Sequence, residues 1–160
     1  MPTASTIAEF IKANNSKYTK NTIQRILYFI QGISLAETGK PFFDEVFTAT
    51  HEGPRIENIL QEEEPDDIFA ILDKGAEIKT PEYDLTDSEV WEIKRVVAFV
   101  NQIPVFDQIN LTLASPWEIK YFFRSNDKTI SNDRIREWFE KNLDNIQIAF
   151  SAKLEKREKM

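Results

Sequence analysis

The chain has 160 residues, of which 41% are hydrophobic and 29% charged, and these proportions fit one folded domain covering residues 1–160. It has no cysteine, which excludes disulfide bonds, thiolate metal sites and cysteine nucleophiles. The net charge of −7 argues against nucleic acid as the main partner, because duplex binding depends on a cationic surface. Neither a membrane-length apolar run nor a secretion-signal pattern occurs, so we expect no membrane contact and a cytoplasmic location.

Apolar residues recur at helical spacing through most of the chain, which predicts a mainly α fold, a compact bundle of about six to seven helices. The clearest helix covers residues 20–37 and is apolar over a wide arc. Such a helix belongs in the middle of a core. Gly39 and then Pro41 end it in the usual order of helix stops.

Residues 43–50 mix aromatic and β-branched side chains in partial alternation, so we expect a short extended segment or hairpin there. Gly53 and Pro54 together are a turn signal. A further helix is expected to start at Arg55, because apolar residues follow it at helical spacing.

Local signals mark the remaining helices. Thr86 and Glu89 form a capping box that opens a helix to about residue 101. Ser115 followed by a proline starts a short helix, and Ser131 caps a long last helix that ends in a highly charged segment at about residues 153–160. The helix after Ser115 covers residues 117–123, and the other predicted helices cover residues 3–13 and 105–113.

The sequence contains no recognisable set of catalytic residues. The only histidine is His51, beside Glu52, and a zinc site there would need further ligands that carboxylates alone would have to supply. The four glycines have none of the spacing of a phosphate-binding loop, and a Ser–His triad would have to use His51. We therefore predict no enzymatic activity, no catalytic residue, no metal site and no cofactor.

Most of the negative charge lies in one stretch. Residues 61–90 hold 11 acidic and 2 basic residues, a net −9 that leaves +2 for the rest of the chain. Near its start stands a run of carboxylates, Glu62, Glu63, Glu64, Asp66 and Asp67. The run lacks the alternating ligand spacing of a calcium loop. Two interpretations stay open, a solvated acidic turn or a docking surface that attracts a basic partner by electrostatic steering.

Aromatic residues are frequent, and we interpret most of them as core, with one or two left for an interface. Stacking on nucleobases is the alternative, but stacking platforms come with cationic grooves, and the surroundings here are near neutral. The residues concerned are Trp91, Trp117, Tyr121, Phe122, Phe123, Trp138 and Phe139.

The residues from Thr19 to Leu60 read TKNTIQRILYFIQGISLAETGKPFFDEVFTATHEGPRIENIL. This order of features, a helix ending in TGKP and then a Gly-Pro pair, resembles the Panacea domain family of SocA-like, phage-associated antitoxins. The later pairs Leu111-Thr112 and Pro116-Trp117 resemble the family's closing motifs. We interpret most of this signature as specifying the fold, and the residues concerned are Tyr28, Gly39, Pro41, Gly53, Pro54 and Trp117.

Three positions depart from the family pattern. Glu52 stands where a tyrosine usually precedes the Gly-Pro pair, Arg55 stands where an aliphatic residue is common, and Leu113 replaces a frequent histidine. If that tyrosine or histidine has a role in the family, this protein performs the role differently or not at all.

The resemblance implies an antitoxin of a toxin–antitoxin system, which neutralises a toxin encoded beside it by direct protein–protein binding. The acidic stretch favours a cognate toxin with a basic surface. The alternative is a proteolytic adaptor or scaffold of the same fold that delivers a bound protein to a protease complex. Neither role requires catalysis. The residues expected to bind the partner are the five carboxylates of residues 62–67 together with His51 and Arg55.

Overall fold

The computed structural model describes residues 1–60, 83–114, 116–122 and 126–158, with side chains described as far as residue 147. These ranges contain six helices and three short strands, which confirms the prediction of a mainly α fold with a short hairpin. The helices are α1 (Ala4–Asn14), α2 (Lys20–Thr38), α3 (Asp87–Asn101), α4 (Val105–Thr112), α5 (Trp117–Phe122) and α6 (Asn132–Glu158), and the strands are β1 (Phe47–Thr50), β2 (Gly53–Arg55) and β3 (Thr129–Ile130). No described helix has both the length and the apolar character needed to cross a membrane.

The helix α2 lies at the centre of the fold, as its apolar pattern predicts, with α6, α3 and α1 packed around it and β2 against it. Thr19 caps its N-terminus through a side-chain hydrogen bond. Gly39 ends it at φ 74°, a left-handed conformation that glycine adopts without strain. In the middle of α2, a Cβ at Gly32 would lie 2.1 Å from Cε2 of Phe139 in α6. The two helices therefore approach closely because position 32 has no side chain.

Two buried glutamines connect α2 to the chain that crosses it. The Gln31 amide donates from Nε2 to the Phe43 carbonyl at 2.9 Å, and its Oε1 accepts the N–H of Phe42 at 2.7 Å. The Gln24 amide donates to the Ile56 carbonyl at 3.0 Å and accepts the Ile56 N–H at 2.9 Å. Each glutamine thus gives hydrogen-bond partners to buried backbone groups that would otherwise have lost water.

The three strands form one antiparallel sheet in the order β2-β1-β3, in which Thr48 pairs with Arg55 and Phe47 with Ile130. Residues 53–55 are therefore a strand, and the helix predicted from Arg55 is wrong. Two observations explain the error. The backbone N–H and C=O of Ile56 are bonded to the Gln24 side chain, and residues 58 and 60 have φ values of 65° and 52°, which no right-handed helix contains.

The predicted caps are present at two of the other helices. In the capping box before α3, Thr86 N–H donates to the Glu89 carboxylate at 2.8 Å, and Glu89 N–H donates to Thr86 Oγ1 at 3.1 Å. Before α6, Ser131 Oγ accepts the N–H of Arg134 at 3.3 Å. The described part of the apolar stripe on α6 is buried, and its residues are Ile135, Phe139, Leu143 and Ile146.

Truncation of a buried side chain in the central helix is expected to destabilise the protein strongly. Leu27 is 0% exposed, so Leu27→Ala should lower the free energy of unfolding by about 2–5 kcal/mol through lost contacts and a new cavity. Urea denaturation measures the change. Lys20→Ala, at an exposed position of the same helix, should change it by less than about 0.5 kcal/mol. Lys12 would be a poor control, because its ammonium donates to the Tyr18 carbonyl at 2.7 Å. Equal stability of the Leu27 and Lys20 variants would contradict the central position of α2.

The glutamine contacts generate a second prediction. Gln31→Leu keeps the volume of the side chain but leaves the Phe42 N–H and the Phe43 carbonyl without their partner. Each unsatisfied buried group costs about 1–3 kcal/mol, so the unfolding free energy should fall by at least about 2 kcal/mol. Gln102→Leu, at an exposed position after α3, is the matched control and should be nearly neutral. A Gln31→Leu protein as stable as its parent would show that these bonds are dispensable.

Candidate functional site

The turn between β1 and β2 brings His51, Glu52 and Arg55 to one exposed end of the hairpin. Thr50 Oγ1 accepts the N–H of Glu52 at 3.3 Å and donates to the Gly53 carbonyl at 2.8 Å, which closes the turn. Gly53 has φ 114°, a conformation that residues with a side chain rarely adopt. The His51 side chain is 78% exposed, and the Arg55 guanidinium forms an ion pair with the Glu52 carboxylate.

The indole of Trp117 fixes α5 against this hairpin. Its Nε1–H donates to the Thr50 carbonyl at 2.6 Å, one residue before His51. The Trp117 ring stacks on Tyr121 with centroids 5.0 Å apart, and Phe122 meets both rings edge-on. Trp117 is only 6% exposed, whereas Phe122 is 70% exposed. We call the side chains at this end of the molecule the hairpin surface, and they are His51, Glu52, Arg55, Tyr121 and Phe122.

The three positions at which the sequence differs from the pattern it resembles lie close together at the turn of the hairpin. Glu52 and Arg55, two of the three, are ion-paired with each other. The third, Leu113, lies against the turn, because a Cβ placed on Gly53 would be 3.6 Å from Leu113 Cδ2. Residues 52, 55 and 113, two of them distant in sequence from the third, therefore lie close together in the fold.

The hairpin surface has the chemistry of a binding surface. Phe122 supplies exposed apolar area, and an imidazole, a carboxylate and a guanidinium supply polar groups, a combination typical of protein interfaces. Because the Glu52–Arg55 pair is partly exposed, it contributes little to stability and its charges are accessible to a partner. Over the described ranges, no group of three or more His, Cys, Asp or Glu side chains is placed to hold a metal ion.

Several residues singled out from the sequence lie elsewhere. Tyr28 is buried in α2, with its ring edge-on to Phe47 at 5.2 Å, and burial raises the pKa of its hydroxyl. Gly39 and Pro41 lie at the end of α2, and Pro54 is buried within β2. The acidic residues predicted to bind the partner fall outside the described residues, and they are Glu62, Glu63, Glu64, Asp66 and Asp67.

Sequence reasoning did not identify the hydrogen bonds of Gln24 and Gln31 or the exposed position of Trp91. The two glutamines stand seven residues apart, so they share one side of an otherwise apolar helix, and that spacing is the signal that identifies them. Trp91, interpreted with the other aromatic residues as mainly core, is 63% exposed. It lies two residues from the buried Ile93, and two residues on a helix point to nearly opposite sides.

The sequence comparison connects these features to a known family. A family model described as "Antitoxin SocA-like, Panacea domain" matches residues 23–118, which is more than half of the chain. The chain belongs to this family. The Panacea match runs from α2 through the hairpin to Trp117, so it includes every element that builds the hairpin surface up to the start of α5. Membership supports a general antitoxin role and suggests a non-catalytic one. No curated protein and no solved structure gives a significant match.

Proposed function

We propose that this Panacea domain neutralises its cognate toxin by binding to it directly, without a catalytic step of its own. The observation that carries the proposal is the family match over residues 23–118, which supports an antitoxin role. Neutralisation by contact is most efficient when the binding surface is already ordered, because ordering side chains on binding costs affinity. The turn is closed by the bond from Thr50 to the Gly53 carbonyl and is joined to α5 by the bond from Trp117 to the Thr50 carbonyl, so it meets this requirement.

The side chains of the hairpin surface favour a protein partner. Phe122 exposes most of its ring from a helix that Trp117 holds against β1. Exposed aromatic anchors carry much of the affinity in protein interfaces, and polar residues surround them. His51 and Arg55, which we expect to contact the toxin, lie together at the end of the hairpin.

A toxin with a basic surface fits the charge of this chain best. The net charge is −7, and residues 61–90 alone contribute 11 acidic against 2 basic residues. We include the carboxylates of residues 62–67 in the proposal as groups that attract the toxin. Such charges act mainly on the rate of association and much less on dissociation, and salt screens them.

Co-expression with the toxin encoded beside it tests the proposal. The chain should restore growth while the abundance of the toxin stays unchanged. The two purified proteins should form a stable complex on size exclusion, and the chain alone should inhibit the toxin in vitro. Protease-dependent loss of the toxin during rescue would instead support the adaptor alternative. Failure of the folded chain to rescue growth would contradict the proposal.

The same experiment locates the binding surface when it includes Phe122→Ala. Since the ring is largely exposed, its removal should leave the fold intact while weakening the complex at least tenfold, as loss of an interface anchor does. Phe106→Ala is the matched control, because Phe106 is an equally exposed aromatic residue, at the start of α4. A weakened complex for Phe106→Ala but not for Phe122→Ala would place the toxin away from the hairpin surface.

A further inference from the structure

Trp91 is an exposed aromatic residue whose ring is nevertheless held in place. It lies on the outer side of α3, where 63% of its surface is exposed, while Ile93, Val96 and Val100 of the same helix are buried. The guanidinium carbon of Arg95, one helical turn further on, lies 5.9 Å from the centroid of the indole. A cation at this distance from an aromatic ring is attracted to its face.

Arg95 is itself fixed by two carboxylates from different helices. Its Nη2 lies 2.9 Å from Glu92 Oε2 in α3 and 2.9 Å from Glu37 Oε2 near the end of α2. Hydrogen bonding to Glu92 and Glu37 raises the pKa of Arg95 in spite of partial burial. These contacts offset the charge of Arg95 and orient its guanidinium. The Arg95 guanidinium thus lies against the Trp91 indole, and the rest of the ring is exposed to solvent.

Both acidic and basic residues flank the ring, and the acidic ones are in excess. Residues 83–95 contain four acidic residues and two basic ones, Lys94 and Arg95. Asp87 is exposed one turn before Trp91, and Asp84 is exposed just before the helix begins. We call this area the Trp91 face, and its residues are Glu37, Asp84, Asp87, Trp91, Glu92, Lys94 and Arg95. An accessible π surface with a carboxylate one turn away is complementary to a planar cation.

We propose that the Trp91 face is a docking site for an arginine on a basic surface of the protein partner. The inference rests on the proposed function, to which it adds the chemistry of one contact. An arginine guanidinium stacks on an aromatic ring and also forms paired hydrogen bonds with carboxylates such as Asp87. A lysine ammonium is a compact, strongly hydrated charge that can pair with Asp87 but gains less from the ring. The site should therefore distinguish arginine from lysine at equal charge.

Two peptides of equal length and charge, a tetrameric Arg-Gly repeat and a tetrameric Lys-Gly repeat, test the proposal without any toxin. Both are titrated into the full chain at low ionic strength, and the indole N–H signals are followed by NMR. We expect the Arg-Gly peptide to bind about tenfold more tightly, equivalent to about 1.4 kcal/mol, and to shift the Trp91 signal. Trp91→Ala should remove this preference and leave the weaker, salt-dependent binding of both peptides.

Phe106→Ala is the control variant, since it removes an equally exposed aromatic ring from a different helix, and it should keep the preference for arginine. Equal affinity of the parent for both peptides, no binding of either, or a preference that survives Trp91→Ala would each overturn the inference. Because the titration needs no toxin, its outcome is independent of the co-expression experiment. A failure of neutralisation and a failure of arginine docking are therefore distinguishable.

Discussion

The middle of the central helix packs against buried backbone groups, and its own side chains give those groups the hydrogen-bond partners that water would otherwise provide. Phe43 and Ile56 are buried against α2, and an unpaired buried backbone group there would cost about 1–3 kcal/mol. Gln31 and Gln24 supply the missing donors and acceptors from within the helix. A fully apolar α2 would pack as well but would leave those groups unsatisfied, so two polar residues are what make this apolar core possible.

The same two glutamines determine where the hairpin lies. They hold the chain at residues 42–43 and again at residue 56, so the strands between these points are fixed at both ends relative to α2. Trp117 then bonds to the Thr50 carbonyl and sets the position of α5, and α5 presents Phe122. The hairpin surface is therefore ordered by contacts that begin in the core, which reduces the entropy that a partner must overcome on binding.

Features that depend on neighbours in sequence could be predicted, and features that depend on distant contacts could not. The capping box of Thr86 and Glu89 and the glycine stop of α2 are local, and both were found from residue order alone. The helix expected from Arg55 failed because Gln24, more than thirty residues earlier, takes the hydrogen bonds of Ile56. The composition of the hairpin surface has the same limit. His51 was singled out as the only histidine and Arg55 as a departure from the family pattern, whereas the bond from Trp117 that joins α5 to their hairpin spans 67 residues.

The charges at the tip of the hairpin can change without refolding the protein. The tip of the hairpin lies beyond the last core contact, the bond between Trp117 and the Thr50 carbonyl. An arginine introduced at position 55 would add an uncompensated charge there, and the glutamate at position 52 supplies the counter-charge within the same turn. An exposed pair of this kind contributes little to stability, so its loss or reversal would barely affect folding. It would, however, reverse the charges offered to a partner, and like charges brought together at an interface are a strong source of discrimination.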